Sequence, residues 1–278
     1  MPTTFAWTGF VGDHHGMPHR YVFVGGLHRS GTSLVARLIG SLPNVGAITN
    51  APVPENEGVY LQGAIPHTAR HGRPDHFATD PDQHHIEGSR YDTLEVRTRI
   101  EADWSPWFPN KAAWRVEKSP VNLMRMRLYQ QLWPMAQFVI VVRHPAFWIR
   151  AIGKWSDRHP EELADYWAGA YGLALADREA LHSSLILRYE DVVADPQKVL
   201  DALGCFLDLG DVPRVCEHVR DGNADYSPET GAISAPGVAA VMDRLGYTSL
   251  TDLAQMKVPR VTHPLRVIKD ATRQVFDE

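Results

Sequence analysis

The stretch YVFVGGLHRSGTSLVARLIGSL, residues 21–42, decides the fold class. Its first four residues are aromatic or β-branched and predict a short buried strand of a parallel sheet. After two glycines, apolar residues recur at the helical period from Leu34 to Leu42 and predict a helix. The turn at 26–32 therefore precedes a helix N-terminus, where backbone N–H groups and the helix dipole favour an anion such as phosphate.

The spacing of Gly26 and Gly31 is that of a P-loop, in which a lysine and then a serine or threonine follow the second glycine. Here Thr32 and Ser33 follow, so the lysine that reaches the β- and γ-phosphates of a nucleoside triphosphate is missing. Arg29, inside the loop, supplies a cation instead. The loop is predicted to bind an oxyanion without ordinary ATP or GTP hydrolysis; the alternative is a glycine turn that binds nothing.

Composition restricts the possible classes of protein. With 278 residues and 44% apolar residues, the chain is predicted to form one α/β domain over 1–278, with 1–20 as an irregular lead-in. A net charge of −5 lacks the basic excess that nucleic-acid binding usually needs. The longest apolar run, 138–142, is too short to span a membrane, and no signal peptide is recognised, so a cytoplasmic protein is expected. The oligomeric state is not predicted.

The segment after the second predicted strand, 45–49, carries two acids, Glu55 and Glu57. A loop at the carboxyl end of a parallel strand faces the ligand crevice, so either acid is a candidate for the site. The alternative is a pair of solvated loop acids, or an acid that caps a helix. Five histidines follow, but no cysteine or third ligand stands at a recognisable spacing, so we expect no metal site and interpret this region as a loop over the mouth of the site. The histidines are His67, His71, His76, His84 and His85.

Three further strands are predicted at 114–117, 137–142 and 184–188. They run into Lys118, Arg143 and Tyr189 respectively. Helices are predicted at 89–104, 120–133, 161–182 and 196–207. In P-loop NTPases, a magnesium-binding aspartate follows the corresponding strand, where Arg143 stands in this chain. A cation at this position favours a site that holds anions with side chains and backbone groups.

Four segments, in this order, resemble a known family: FVGGLHRSGTSL (23–34), EKSP (117–120), FVIVVRHP (138–145) and LRYEDVVADP (187–196). The chain resembles the sulfotransferases that use 3′-phosphoadenosine 5′-phosphosulfate (PAPS), of the bacterial and Golgi-like branch. The first and third segments are the specific ones. The resemblance implies an α/β fold with a parallel sheet flanked by helices, the P-loop-like sulfotransferase fold.

The resemblance implies that the 26–33 loop holds the 5′-phosphosulfate of the donor. Arg143 matches the arginine that contacts the 3′-phosphate, and Tyr189 an aromatic hydroxyl near the same group. The family usually has a serine where this chain has Ala151. Lys154 or Ser156 is expected to replace it, with Arg150 as a weaker candidate. The loop residues expected to bind the donor are Gly26, His28, Arg29, Ser30, Gly31, Thr32 and Ser33.

The reaction implied is transfer of a sulfuryl group from PAPS to a hydroxyl or amine, without a required metal. Arg29 and Lys118 are expected to stabilise the developing charge, although Lys118 could be a surface lysine. Glu55 or Glu57 is expected to be the general base, and His28 and His67 are fallbacks. The segment 50–88 is then expected to be an acceptor-side loop region, and the acceptor is left open as a small molecule or carbohydrate. Alternative functions are a degenerate P-loop kinase that uses ATP and magnesium, and a non-catalytic protein that binds PAPS or adenosine 3′,5′-bisphosphate.

Overall fold

A six-stranded sheet forms the centre of the computed structural model, which describes residues 19–68, 73–109, 112–215 and 218–277. The strands are β1 (Arg20–Gly25), β2 (Val45–Ala47), β3 (Trp114–Lys118), β4 (Gln137–Val142), β5 (Ser184–Arg188) and β6 (Val261–Thr262). Their order in the sheet is β2-β3-β1-β4-β5-β6. The first five strands are parallel, and β6 pairs with β5 in the antiparallel sense.

Helices cover both faces of the sheet. They are α1 (Thr32–Gly40), α2 (Leu94–Trp104), α3 (Met126–Leu132), α4 (Pro145–Ile152), α5 (Pro160–Asp177), α6 (Tyr189–Ala194), α7 (Pro196–Phe206), α8 (Pro236–Arg244) and α9 (Arg266–Val275). Tyr21 and Phe23 of β1 pack with α2, α3 and α5 on one face, and Val22 and Val24 pack with α1 and α7 on the other. Both faces are buried, so the strand reads as a continuous apolar run.

Several predicted boundaries need correction. The second strand ends at Ala47 rather than at 49. The helix α2 begins at Leu94 rather than at 89, because the Thr93 hydroxyl accepts a hydrogen bond from the Val96 N–H at 3.2 Å and caps it. The chain between β2 and α2 contains short 3₁₀ turns, and its Phe77 is fully buried. The two-residue β6 was not predicted. None of the helices in the described ranges has the length and apolar character needed to cross a membrane.

The carboxyl ends of the parallel strands bring the candidate residues to one edge of the sheet. The loop at 26–33, called the anion loop below, follows β1; Lys118 ends β3, Arg143 follows β4 and Tyr189 follows β5. Because β1 lies between β3 and β4, the anion loop is flanked by Lys118 on one side and Arg143 on the other.

Candidate functional site

Two glycines give the anion loop its shape. A Cβ atom on Gly26 would lie 2.4 Å from the Val141 carbonyl oxygen, so only glycine fits against β4. Gly31 has a φ of 95° and would place a Cβ 2.6 Å from the Tyr189 ring. Gly31 is also the N-cap residue of α1 and has no side chain to cap the helix. The first-turn N–H groups of α1, which have no acceptor within the helix, therefore start directly at the loop.

The Ser30 side chain braces this loop from inside the protein. Its hydroxyl lies 3.0 Å from the Tyr171 hydroxyl, which donates to the Val141 carbonyl at 2.8 Å. The Ser30 N–H donates to the Leu27 carbonyl at 3.1 Å. Thr32 is buried at the start of α1. In this structure the polar groups of Ser30 are thus engaged in supporting the loop, although the resemblance implies a contact with the donor.

Arg143 joins the end of β4 to the loop. Its guanidinium donates to the carbonyl oxygen of Arg29 at 3.0 Å, to that of Gly222 at 3.0 Å and to the Asn223 side-chain oxygen at 2.7 Å. It also stacks over the Tyr189 ring at 4.7 Å. Arg143 is 4% exposed, and burial lowers the pKa of its guanidinium. The predicted loop and the predicted 3′-phosphate arginine are therefore in direct contact.

Three basic side chains meet at the ring of Tyr226. Arg143 lies 5.5 Å from its centroid and the Lys154 ammonium 4.5 Å from it. Although burial alone would raise it, hydrogen bonds from Arg29 and Lys154 lower the pKa of the Tyr226 hydroxyl. Arg29 also stacks over the half-exposed Trp155 ring at 4.8 Å. The result is a concentrated positive site beside the anion loop in a chain whose net charge is negative.

The structure distinguishes the three candidates that could replace the family's usual serine at the position of Ala151, which is itself buried in α4. Arg150 forms an ion pair with Glu229 at 2.7 Å, and Ser156 donates to Asp75. Lys154 instead shares the Tyr226 ring with Arg143. Of these three candidates, Lys154 is the one placed beside the predicted 3′-phosphate arginine.

The segment 220–226 was missed by the sequence analysis. Gly222 donates its N–H to the Tyr189 hydroxyl at 2.7 Å, and Asn223 connects Arg143 to the buried carboxylate of Glu190. That carboxylate also accepts from the His144 N–H at 3.0 Å. The run Asp-Gly-Asn at 221–223 is a recognisable turn signal, but nothing in it points to a strand end some 80 residues earlier.

A buried ion pair lies on the other side of the loop. The Lys118 ammonium donates to the Glu57 carboxylate at 3.0 Å, and their side chains are 7% and 8% exposed. The interpretation of Lys118 as a surface lysine is therefore wrong. Burial raises the pKa of Glu57 to about 7, although the Lys118 charge opposes the shift. Glu57 thus exchanges its proton near neutral pH, as a general base requires.

The other candidate bases have different surroundings. Glu55 is exposed, and its carboxylate accepts from the Ser33 hydroxyl at 3.2 Å. The His28 ring lies 2.9 Å from the Pro74 carbonyl through Nδ1, and burial lowers its pKa to about 4, which makes it neutral at pH 7. His67 is buried, with its ring 5.4 Å from that of Tyr60. Glu57 combines burial with direct contact to Lys118.

The predicted histidine-rich region is dispersed in the fold. His84 binds Asp177 at 2.7 Å, and the His85 ring packs on that of Tyr91 at 4.7 Å. His76 lies 3.9 Å from Asp80, and His71 is outside the described residues. Within the described ranges, no group of three His, Cys, Asp or Glu residues could hold a metal ion.

A cavity of about 770 Å³ opens beside the start of α1. It reaches from Ser33, Glu55 and Lys118 along α1 to Arg37 and Ser41. This volume is typical of small-molecule sites. Two of the catalytic candidates, Glu55 and Lys118, thus border a space large enough for a substrate, whereas Glu57 and Arg29 are not among the residues that line it.

A family model described as "Sulfotransferase family" matches residues 21–213. A search of curated proteins finds no significant match. Among solved structures, a sulfotransferase of Mycobacterium tuberculosis H37Rv is 16% identical over 84% of this chain and 77% of its own, with a TM-score of 0.48. The sulfotransferase domain of the curacin biosynthetic pathway is 15% identical over 94% and 98%, with a TM-score of 0.45. The sulfotransferase domain of the Synechococcus PCC 7002 olefin synthase is 18% identical over 96% and 97%, with a TM-score of 0.46.

Proposed function

Because this chain belongs to the sulfotransferase family, whose members transfer sulfuryl groups, we propose that it uses PAPS to sulfate a hydroxyl or amine of a small-molecule or carbohydrate acceptor. The family predicted from the four motifs is confirmed by the match over 21–213, and the predicted fold by the parallel sheet and its helices. The donor, the acceptor and the roles of individual residues are the content of the proposal.

The positive site beside the anion loop supports PAPS as the donor. PAPS supplies an activated sulfuryl group and carries anionic groups at its 5′ and 3′ positions. The 26–33 loop and Arg29 would hold the 5′ end, while Arg143, Lys154 and Tyr189 would hold the 3′-phosphate. Arg143 has a planar guanidinium that can donate to two phosphate oxygens at once. The contact of Arg143 with the Arg29 carbonyl at 3.0 Å is the observation that carries the donor assignment, since it brings both ends together.

The buried pair of Glu57 and Lys118 supports a mechanism with Glu57 as the base. Glu57 would accept the proton of the acceptor hydroxyl as the acceptor oxygen bonds to sulfur and the bond from sulfur to the 5′-phosphate oxygen breaks. Lys118, 3.0 Å from Glu57, and Arg29 would stabilise the charge that develops on the transferring and leaving oxygens. Glu55, exposed at the cavity, is the second candidate base.

Ligand binding and turnover together test the proposal. Thermal unfolding is measured with adenosine 3′,5′-bisphosphate, with adenosine 5′-monophosphate and with ATP plus magnesium. We expect the bisphosphate to raise the unfolding temperature most, since it alone offers a 3′-phosphate to Arg143 and Lys154. Preference for ATP with magnesium would refute the donor assignment. Turnover is then measured with PAPS and a panel of sugars, phenols and aliphatic alcohols, with mass spectrometry to detect a product heavier by one sulfuryl group.

A further inference from the structure

Glu117, the residue before Lys118, has a fully buried side chain and takes no part in the mechanism above. We propose that Glu117 is a positioning residue that fixes Glu57 next to Lys118 and ties both to the start of the anion loop. The inference rests on the proposed role of Glu57. Two sets of hydrogen bonds and one electrostatic effect support it. The hydrogen bonds reach the backbone that follows Glu57 and the end of β1, and the charge of Glu117 acts on Glu57.

Glu117 holds the backbone on the C-terminal side of Glu57. Its Oε1 accepts the N–H of Gly58 at 3.0 Å and the hydroxyl of Ser119 at 2.6 Å. The same Ser119 oxygen accepts the Val59 N–H at 3.1 Å. The two peptide N–H groups that follow Glu57 are therefore anchored to the end of β3. Because Lys118 belongs to that strand end, the anchor sets the separation of base and cation.

The second oxygen of Glu117 connects this anchor to β1. Oε2 accepts from the Asn122 amide at 2.6 Å, and the same amide nitrogen lies 3.1 Å from the Val24 carbonyl. Val24 is the residue before the two glycines that begin the anion loop. The Gly26 N–H also points to the Pro120 carbonyl, at 3.4 Å. One carboxylate therefore links three segments that are separate in sequence.

A buried carboxylate is costly unless donors surround it, so its presence here needs a reason. Burial raises the pKa of Glu117, and the hydrogen bonds from Ser119, Asn122 and Gly58 oppose the rise. A carboxylate only accepts hydrogen bonds, which matches three donors. Glutamine has the same shape, but its NH₂ group would face the Asn122 amide or another donor. The negative charge also contributes to the raised pKa of Glu57.

A double-mutant cycle tests whether Glu117 acts through Glu57. We expect Glu117→Gln to lower kcat by roughly 10- to 100-fold, because a displaced base loses the positioning advantage. Its affinity for adenosine 3′,5′-bisphosphate should stay within about twofold, because the contact of Asn122 with the Val24 carbonyl does not involve Glu117 and the positive site around Tyr226 is untouched. In a Glu57→Gln background, Glu117→Gln should lower kcat almost no further. The acid limb of the kcat profile should also move to lower pH, since a negative charge beside Glu57 is removed.

The inference would be overturned if Glu117→Gln lowered kcat by the same factor in the wild-type and Glu57→Gln backgrounds. It would also be overturned if kcat were unchanged in the single variant. If Glu57→Gln itself keeps near-wild-type turnover, the base assignment fails, and that result is distinct from failure of the cycle. Ser119→Ala is the milder second variant, because it removes the bridge to Val59 and one donor to Glu117 but leaves the bond from the Gly58 N–H to Glu117 in place. Its smaller loss in kcat should also vanish in the Glu57→Gln background, and a loss that persists there would count against the inference.

Glu101→Gln is the matched control. Glu101 accepts from the Tyr21 hydroxyl at 2.9 Å and from the Trp133 indole at 2.6 Å, near the amino ends of the strands. It is a carboxylate with several donors, like Glu117, but it lies at the opposite edge of the sheet. We expect Glu101→Gln to lower stability without moving the acid limb of the kcat profile. A shift of that limb equal to the one in Glu117→Gln would show that general loosening of the fold is responsible, and it would overturn the inference.

Discussion

As the pH is lowered, kcat should begin to fall at an unusually high pH for a glutamate base, because the proposed base, Glu57, is buried beside Lys118. Burial raises the pKa of Glu57 to about 7, far from the ordinary value of 4.5. As the proposed general base, Glu57 acts as the carboxylate, so kcat should follow its deprotonated fraction. At pH 6 about one tenth of Glu57 is deprotonated, and kcat should be about tenfold below its alkaline plateau. The plateau should be reached near pH 8.

The same shift predicts a change in stability, with a definite sign. The folded-state pKa is raised from 4.5 to about 7, so the folded protein binds this proton more tightly than the unfolded chain does. The stabilisation is complete below about pH 4.5 and is lost as the pH rises through about 7. At about 1.4 kcal/mol per pKa unit, the loss amounts to about 3 kcal/mol. Glu57→Gln cannot titrate and should lack this contribution.

Two assays check these numbers. Initial rates at saturating PAPS and acceptor, from pH 5 to 9, give the midpoint of the acid limb in the wild type and in Glu55→Gln, which should retain it. Urea denaturation at pH 5 and pH 8 gives the difference in unfolding free energy for the wild type and Glu57→Gln. An acid limb near the ordinary glutamate value, or the same pH dependence of stability in both proteins, would refute the assignment of Glu57.

Three other substitutions test separate parts of the site. Arg143→Lys keeps the charge but loses the planar fork, so calorimetry should show about 10- to 100-fold weaker binding of adenosine 3′,5′-bisphosphate, and unchanged affinity would contradict this role. Lys154→Ala should weaken the same binding about tenfold whereas Arg150→Ala should not, and the reverse ranking would exclude Lys154 as the replacement for the missing serine. Gly31→Ala should lower the free energy of unfolding, measured by urea denaturation, by about 1–3 kcal/mol. The loss should exceed that of Gly88→Ala, because Gly88 also has a positive φ but has open space around it. Equal losses would mean that the Tyr189 ring beside Gly31 contributes nothing.

The parts of the site that follow directly from strands could be predicted from the sequence. The strands β1, β4 and β5 are buried on both faces, so each appears as a run of apolar residues with clear ends. Parallel strands share a carboxyl edge, so the residue after each run is placed by topology alone. The placement of Arg143 beside the anion loop is the clearest result of this reasoning.

The parts that depend on distant contacts could not be predicted. Glu57 and Lys118 are 61 residues apart, and Arg143 and Asn223 are 80 apart. Such pairs leave no local periodicity, so the sequence could not decide between Glu55 and Glu57 or reveal the 220–226 segment. The edge strand β6 was missed because two residues are too few to produce an alternating pattern. The burial of Lys118 likewise depends on a loop that arrives from elsewhere in the chain.

The strand order has a kinetic consequence. With β1 between β3 and β4, the proposed nucleotide contacts lie on one side of the anion loop and the proposed base lies on the other. Donor and acceptor can therefore be bound at the same time, in a ternary complex. For the proposed reaction we expect the sulfuryl group to pass directly from donor to acceptor, in a sequential rather than a ping-pong scheme, without a sulfated enzyme intermediate.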